Sequence, residues 1–346
     1  MKIRREDFLR VLERCLPGVS PKEMAEQSSM FNFRGGYVIA SDRQTWCKAP
    51  SGLDAKLEAA VAAKQLIQQL RRIEDEWVAV GVDRVKAPHL TFTHASGVIG
   101  MRMAPTLALV EDIQAPDNWQ TVEESFSDAV ELVRDCASKE REKYWIATTV
   151  HVHPDFVEAC DGVQACRYQV QSPVAKACVI ERDALTHIVG AGVTEAQEHD
   201  VWLHFRSPDG FRLSFKRYAE DYKDLSEYYK KDKGMKPLRL SKSLSDALAS
   251  CEAFSREDVK NNRILVTLRE DEVVVGGVGA TGYAVEKRVC EYSGPELEFF
   301  CPPAVLKSIS ERGVDTFVGT TKVICDGNQW RFVASLSPPD KKEDKR

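Results

Sequence analysis

Two short stretches carry residues whose types and spacing match known chemistry. Gly277-Val278-Gly279-Ala280-Thr281-Gly282 reads G-x-G-x-x-G directly after the apolar run Val273-Val274-Val275. In a dinucleotide-binding domain such a loop opens a helix whose N-terminus holds a pyrophosphate. Here Tyr283 to Tyr292 follows, with Val285, Val289 and Cys290 off helical spacing and a turn signal at Ser293-Gly294-Pro295. That pattern predicts a strand, so the glycines are expected to form a β-hairpin turn that uses positive φ. The second stretch is His151-Val152-His153-Pro154-Asp155, with His187, His199 and His204 downstream. H-x-H on a strand sets both imidazoles on one face, where they can share a metal as in metal-dependent hydrolases. Such enzymes need a (β/α)₈ alternation. The chain lacks that pattern, so the His151/His153 hydrolase stands as the alternative reading, and no metal, cofactor or catalytic residue is expected. No G-x-x-x-x-G-K-[ST] and no G-x-S-x-G occurs. Asp42 and Asp161 are expected to hydrogen-bond local backbone in turns.

The elements that position these residues repeat along the chain. Amphipathic helices are expected over Arg5–Leu16, Ser125–Ala137 and Ser241–Phe254. Their anchors Phe8, Phe126 and Leu244 recur with a period of about 119 residues, as do the hairpin positions Asp42, Asp161 and Ala280. A second helix follows in each unit, marked by Leu66, Leu185 and Leu306, and each leads into a further strand pair. The class is therefore α+β: three tandem repeats of a two-helix, antiparallel-sheet domain. The domains are expected at residues 1–112, 118–222 and 237–338. Linkers are expected near Leu109–Gln120 and Lys223–Leu238, and residues 339–346 are expected to be a charged, disordered tail.

The totals are those of an ordinary globular protein. The chain has 346 residues, 43% hydrophobic, with a formal net charge of −5. No apolar stretch reaches the roughly eighteen residues of a membrane span, and Met1–Cys15 lacks the apolar core of a secretory signal. The ten cysteines form no C-x-x-C pair and read as reduced core thiols of a cytoplasmic protein. No membrane partner is expected. Three such domains can close into a ring, sheets outside and helices lining the hole. The helical stretches are modestly more basic than the remainder, and most of that bias lies in the first unit. A scaffold that never meets DNA is the other non-enzymatic reading.

From Met1 to about Pro338, and most clearly in the third unit from Ser245 to Ile309 and in Ala159-Cys160-Asp161-Gly162-Val163-Gln164-Ala165-Cys166-Arg167-Tyr168, the chain resembles the bacterial-type DNA polymerase sliding clamp, the beta processivity factor. The short chain and eroded motifs favour a virus-encoded member. The resemblance implies a non-catalytic head-to-tail homodimer encircling duplex DNA, with the replicative DNA polymerase and the clamp loader as partners. DNA-facing candidates are then Arg10, Arg14, Lys64, Arg71, Arg72, Lys139, Lys242, Lys307 and Arg312. The family's partner-peptide groove has a T-D-G-H-R-L segment that corresponds to Cys160–Ala165, so Gly162, Val163, Gln164 and Ala165 are its candidates here. Its connector P-D-Y-R-R-V resembles Glu220–Leu225, contributing Tyr222 and Leu225, and its C-terminal strand corresponds to Val333, Ser335 and Leu336. Val163, Gln164 and Ala165 depart from the family's His, Arg and Leu, which implies a pocket tuned to a different peptide. The implied subunit interface joins Val98 and Ile99 to the partner's Ala253 and Phe254.

Overall fold

The computed structural model describes residues 1–23, 25–84, 87–107, 113, 117–140, 145–257, 262–312 and 314–339. Most of the first expected linker and nearly all of the charged tail lie outside them. The α-helices among the described residues are α1 (Arg5–Cys15), α2 (Ala63–Arg72), α3 (Ser125–Val133), α4 (Arg182–Leu185), α5 (Leu244–Ser255) and α6 (Pro303–Arg312). They fall in the two positions the period assigns within each repeat. α3 and α4 are shorter than expected because each tightens into a 3₁₀ turn, at Arg134–Cys136 and Thr186–Ile188. Ala59–Ala62, just before α2, is an edge strand beside Met30–Arg34. Ala59, Ala60 and Val61 are almost fully covered.

The chain divides into two compact units, Met1–Glu131 with Thr149–Asp155 and Val170–Glu220, and Leu132–Thr148 with Phe156–Gln169 and Asp221–Arg346. In the first unit, strand Thr45–Pro50 of the first repeat pairs antiparallel with Arg212–Lys216 of the second. From that seam the sheet runs one way through Tyr37–Ser41 and Met30–Arg34. The other way it runs through Trp202–Arg206 and Glu195–His199. A smaller sheet joins Lys2–Arg4, Trp77–Asp83, His89–His94 and Gly97–Arg102 in that order. α1 buries Phe8, Leu9, Leu12 and Cys15, and Phe8 lies within 6.0 and 6.2 Å of the Phe33 and Phe92 rings. The amphipathic period thus becomes a helix face pressed on a sheet face.

The second unit has its own seam, where Gln164–Gln169 pairs with Trp330–Ser335 and Ala165 lies opposite Val333. The sheet continues through Lys322–Asp326, Asp315–Val318 and Lys236–Leu240 to Tyr283–Tyr292, Glu272–Val278, Ile264–Arg269 and Leu297–Cys301. α5 and α6 cover it with Leu244, Leu248 and Cys251, and with Val305, Leu306 and Ile309. The second expected linker is no solvated tether. Leu225 and Tyr229 are buried, and Lys236–Leu240 is a strand. All ten cysteines are free thiols, nine of them buried, as core thiols should be.

Candidate functional site

The glycine-rich stretch is a hairpin between strands Glu272–Val278 and Tyr283–Tyr292, as its pattern predicts, but the glycines serve another purpose. None of Gly276, Gly277, Gly279 or Gly282 has positive φ. A Cβ on Gly277 would lie 2.1 Å from the Cys251 carbonyl oxygen, and one on Gly279 2.4 Å from that of Phe254. Gly277 and Gly279 are glycine because the α5 backbone packs directly on the hairpin there. The turn's donors are satisfied within the chain. The Glu257 carboxylate accepts from the Thr281 N–H at 2.9 Å and from the Thr281 hydroxyl, which lowers its pKa. The turn holds a side-chain carboxylate where a nucleotide loop would hold phosphate.

His151 and His153 share a strand with ring centroids 6.2 Å apart, and His153 sits 3.6 Å from Asp155. No group of three or more metal-ligating side chains is assembled among the described residues. His204 is a core residue: its Nδ1 lies 2.7 Å from the Ser214 hydroxyl, and burial, helped by Arg212, pulls its pKa down to about 4. The hydrolase reading therefore finds no site. Asp42 and Asp161 do occupy matching turns. Each Oδ1 accepts two backbone N–H bonds, from Gln44 and Thr45 at 2.9 and 2.7 Å and from Val163 and Gln164 at 2.8 Å each.

The helical cations separate into two groups. Arg10, Lys64, Arg71, Arg72, Lys139, Lys242 and Lys307 are exposed. Arg10, Arg71 and Lys307 face acidic neighbours on their own or the adjacent helix, Asp7, Glu13 and Glu311, at 3.3, 2.7 and 3.9 Å. Lys64, Arg72, Lys139 and Lys242 form no ion pair among the described residues. Arg14 and Arg312 are turned inward. Arg14 pairs with Asp209, donates to Ala191 O and Ser207 Oγ at 3.0 Å each, and stacks 4.2 Å over Phe211. It ties the first repeat to a turn of the second. Arg312 lies over the Trp330 and Phe332 rings at 4.9 and 5.4 Å and donates to Ser308 Oγ. Neither side chain has the solvated position expected of it, because an aromatic face and local acceptors hold each guanidinium.

Around the second unit's seam the structure gathers Ala165, Tyr222, Leu225 and Val333 into one apolar cluster with Tyr229, Ile324, Cys160 and Met235. Residues 221–235 are fastened over it. Lys322 donates to the carbonyls of Tyr228 and Lys230 at 3.3 and 2.7 Å, and Arg331 donates to that of Tyr229. Below the cluster Arg167 pairs with buried Glu158 at 2.7 Å. Gly162 takes φ +90 at the adjoining turn, Val163 is 43% exposed, and the Ser335 N–H donates to the Val163 carbonyl. Leu336 is buried apart from the cluster, with its N–H on the Thr321 carbonyl. Gln164, which donates to the Asp135 carbonyl, also lines a cavity of about 700 Å³ between Asp135–Glu140 and α6. Tyr229, Ile324 and Met235 escaped the sequence reading because they pack by tertiary contact. The continuous apolar run Val323-Ile324-Cys325 was the local signal for Ile324 alone.

Two of the open sheet edges among the described residues carry exposed valines. Gly97–Arg102 ends the smaller sheet of the first unit, with Val98 62% exposed. In the second unit, residues 283–289 pair on one side with Glu272–Val278, whereas Lys236–Leu240 takes up only 290–292. Tyr283 and Val289 stand 73% and 74% exposed there. Ala253 is exposed and Phe254 half-buried at the end of α5, with the Phe254 ring against Gly282.

No protein-family model matches the chain, and no curated protein matches it. Solved structures match it by fold. The DNA polymerase sliding clamp of Pseudomonas aeruginosa, solved with a ligand, aligns with a TM-score of 0.78 at 13% identity over 97% of this chain and 98% of its own. The sliding clamp of Bartonella birtlesii bound to griselimycin gives 0.80 at 13% over the same shares. The DNA polymerase III beta subunit of Thermotoga maritima gives 0.77 at 12%, again over 97% and 98%. The chain has the sliding-clamp fold along nearly its whole length.

Proposed function

We propose that this protein is a DNA sliding clamp, a non-catalytic processivity factor. Two copies join head to tail into a ring around duplex DNA and tether the replicative polymerase. The observation that carries the reading is the end-to-end match to clamp structures at 97–98% coverage of both chains, with no repeat missing. In this reading the repeats are domains 1–112, 118–222 and 237–338. The ring closes where Gly97–Arg102 of one copy adds to residues 283–289 of the other, flanked by Ile99 and by Ala253 and Phe254. Both edges are otherwise open, and an open edge is completed by strand addition.

Enclosure needs no grip on base sequence. Exposed Arg10, Lys64, Arg71, Arg72, Lys139, Lys242 and Lys307 supply salt-sensitive attraction to phosphates while the closed ring prevents escape. Polymerase and clamp loader dock by short peptides on the seam bearing Gly162, Val163, Gln164, Ala165, Tyr222, Leu225, Val333, Ser335 and Leu336. This is work for the cytoplasm, where the DNA is replicated.

Retention on DNA tests the reading. A clamp loaded on nicked circular DNA stays bound through gel filtration at high salt and is lost once the circle is cut. Lys64→Glu with Arg72→Glu reduces loading while leaving the protein folded. Equal retention on circular and linear DNA, or none on either, rejects the clamp in favour of a scaffold.

A further inference from the structure

We infer that Tyr229 is a built-in competitor for the docking groove: residues 226–232 lie in the place of a partner peptide, and a partner enters by setting an aromatic side chain where Tyr229 now sits. The inference rests on the reading of this seam as the peptide-docking site. It adds how that site is regulated and what it selects.

Register lays the groove out. Cys160 lies opposite Ala165, Ala165 opposite Val333, and Val333 opposite Ile324, so four apolar side chains form one row across four adjacent strands. A docking peptide does not reach that row while it is covered. Ala165, Val333 and Ile324 are buried, and Tyr229 and Leu225 pack with them in one cluster. The Arg167 guanidinium lies 5.0 Å from the centroid of the Tyr229 ring. A cation at that distance favours an aromatic ring over an aliphatic chain in the same place.

The hold on this occupant is light. Tyr229 is the only buried residue from 226 to 234. Among the described residues, no backbone–backbone hydrogen bond joins that stretch to the sheet. Its amides close local turns instead, Tyr228 on the Leu225 carbonyl and Lys230 on that of Glu227. Side chains do the fastening. Lys322 donates to the carbonyls of Tyr228 and Lys230 and pairs with Asp232 at 2.9 Å. Arg331 donates to the Tyr229 carbonyl, and Lys231 pairs with Asp326 at 2.7 Å. A segment with one buried side chain and no ladder bonds opens at low cost while the sheet beneath stays folded. Lys322 and Arg331 grip main-chain carbonyls, which every peptide carries, so the same two cations can hold the incoming chain.

The test uses the whole protein and a fluorescein-labelled peptide of the chain's own sequence, Leu-Ser-Glu-Tyr-Tyr-Lys-Lys from residues 225–231, beside a control with alanine for its second tyrosine. Fluorescence polarisation measures binding to the wild type and to Tyr229→Ala. Removing the competitor uncovers the row, so Tyr229→Ala should bind the tyrosine peptide about tenfold more tightly than the wild type does. It should also prefer that peptide about tenfold over the alanine control, because only the tyrosine peptide refills the row. Equal binding to the two proteins, no preference for the tyrosine peptide, or no binding to either protein overturns the inference. So does a Tyr229→Ala chain that fails to fold, because a side chain the fold cannot do without is not an exchangeable occupant. The probe is the chain's own sequence, so the result does not depend on any polymerase. A polymerase that binds the wild type and Val333→Asp alike rejects the docking reading, whereas an irreplaceable Tyr229 rejects this inference alone.

Discussion

Arg167 donates through Nε to Glu158 at 2.7 Å, and the Glu158 side chain is only 1% exposed. Arg167 is held in turn by the faces of Phe156 and Tyr229, at 4.3 and 5.0 Å, and by Ser226. The pair therefore joins the hairpin strands to the segment covering the seam. Removing one member of a buried ion pair strands the other without compensation, at a cost of about 3–5 kcal/mol. Arg167→Met should lower stability by that order in denaturant unfolding. Arg167→Met with Glu158→Leu should recover most of the loss, because an apolar pair of similar volume replaces the charges. A single variant as stable as the wild type would mean that water reaches Glu158.

Gly277 and Gly276 are adjacent in sequence and differ in surroundings. A methyl on Gly277 meets Cys251 backbone atoms at 2.1, 2.7 and 2.9 Å, which no side-chain movement relieves. On Gly276 the nearest atom is Val285 Cγ2 at 3.8 Å, an ordinary contact. Gly277→Ala must push α5 off the sheet and should cost about 1–3 kcal/mol. Gly276→Ala should stay within roughly 0.5 kcal/mol of wild type. Thermal unfolding of the two variants side by side measures the difference. Similar midpoints would return the role of Gly277 to the turn.

These glycines mark the limit of what the sequence makes legible. The strand after Gly282 follows from Val285, Val289 and Cys290 flanking charges before the Ser293-Gly294-Pro295 turn, and the repeat follows from anchors such as Phe8, Phe126 and Leu244, because period and spacing are local properties. The approach of α5 to Gly277 is tertiary, and no residue near position 277 encodes it. Likewise Leu225 reads as part of a charged connector, since Asp221, Lys223 and Asp224 surround it. Its burial comes from Val333, more than a hundred residues onward. Arg14 and Arg312 read as helix-surface cations for the same reason: the Phe211 and Trp330 rings that hold them lie far off in sequence. The open edges at Gly97–Arg102 and residues 283–289 could not be told from paired strands until the pairings were known.

His204 gives the first unit a defined acid sensitivity. Burial is the main cause of its depressed pKa of about 4, with Arg212 adding to it. An unfolded histidine titrates near 6.5. Between those values the unfolded chain binds more protons than the folded one, so stability rises with pH across this window and falls on acidification from about 6.5 to 4. The loss should be on the order of 2–3 kcal/mol at the lower limit. It should shrink in His204→Gln, which keeps a polar group near Ser214 without the titration. Unfolding midpoints at pH 7, 5.5 and 4.5 for both proteins check this. Parallel pH profiles would assign the acid sensitivity to other groups.

Ring closure makes a prediction that depends on the symmetry of the contact. If Gly97–Arg102 adds to residues 283–289 of a second copy, the interface is heterologous, and a two-copy ring contains it twice. Val98→Asp damages both seams from one side, and Val289→Asp damages both from the other. Each variant alone should sediment as a 38.8 kDa monomer. Both side chains are exposed, so each monomer should stay folded. Mixing the two variants gives a different result. The intact Gly97–Arg102 edge of the Val289→Asp chain meets the intact 283–289 edge of the Val98→Asp chain, and one sound seam forms. The other seam then carries an aspartate on each side and stays open. The mixture should recover two-chain mass in analytical ultracentrifugation without recovering retention on circular DNA. A self-complementary interface made by one edge alone predicts something else: one variant would remain dimeric by itself, and mixing would add nothing. Recovery of mass without retention is the outcome that only head-to-tail closure produces.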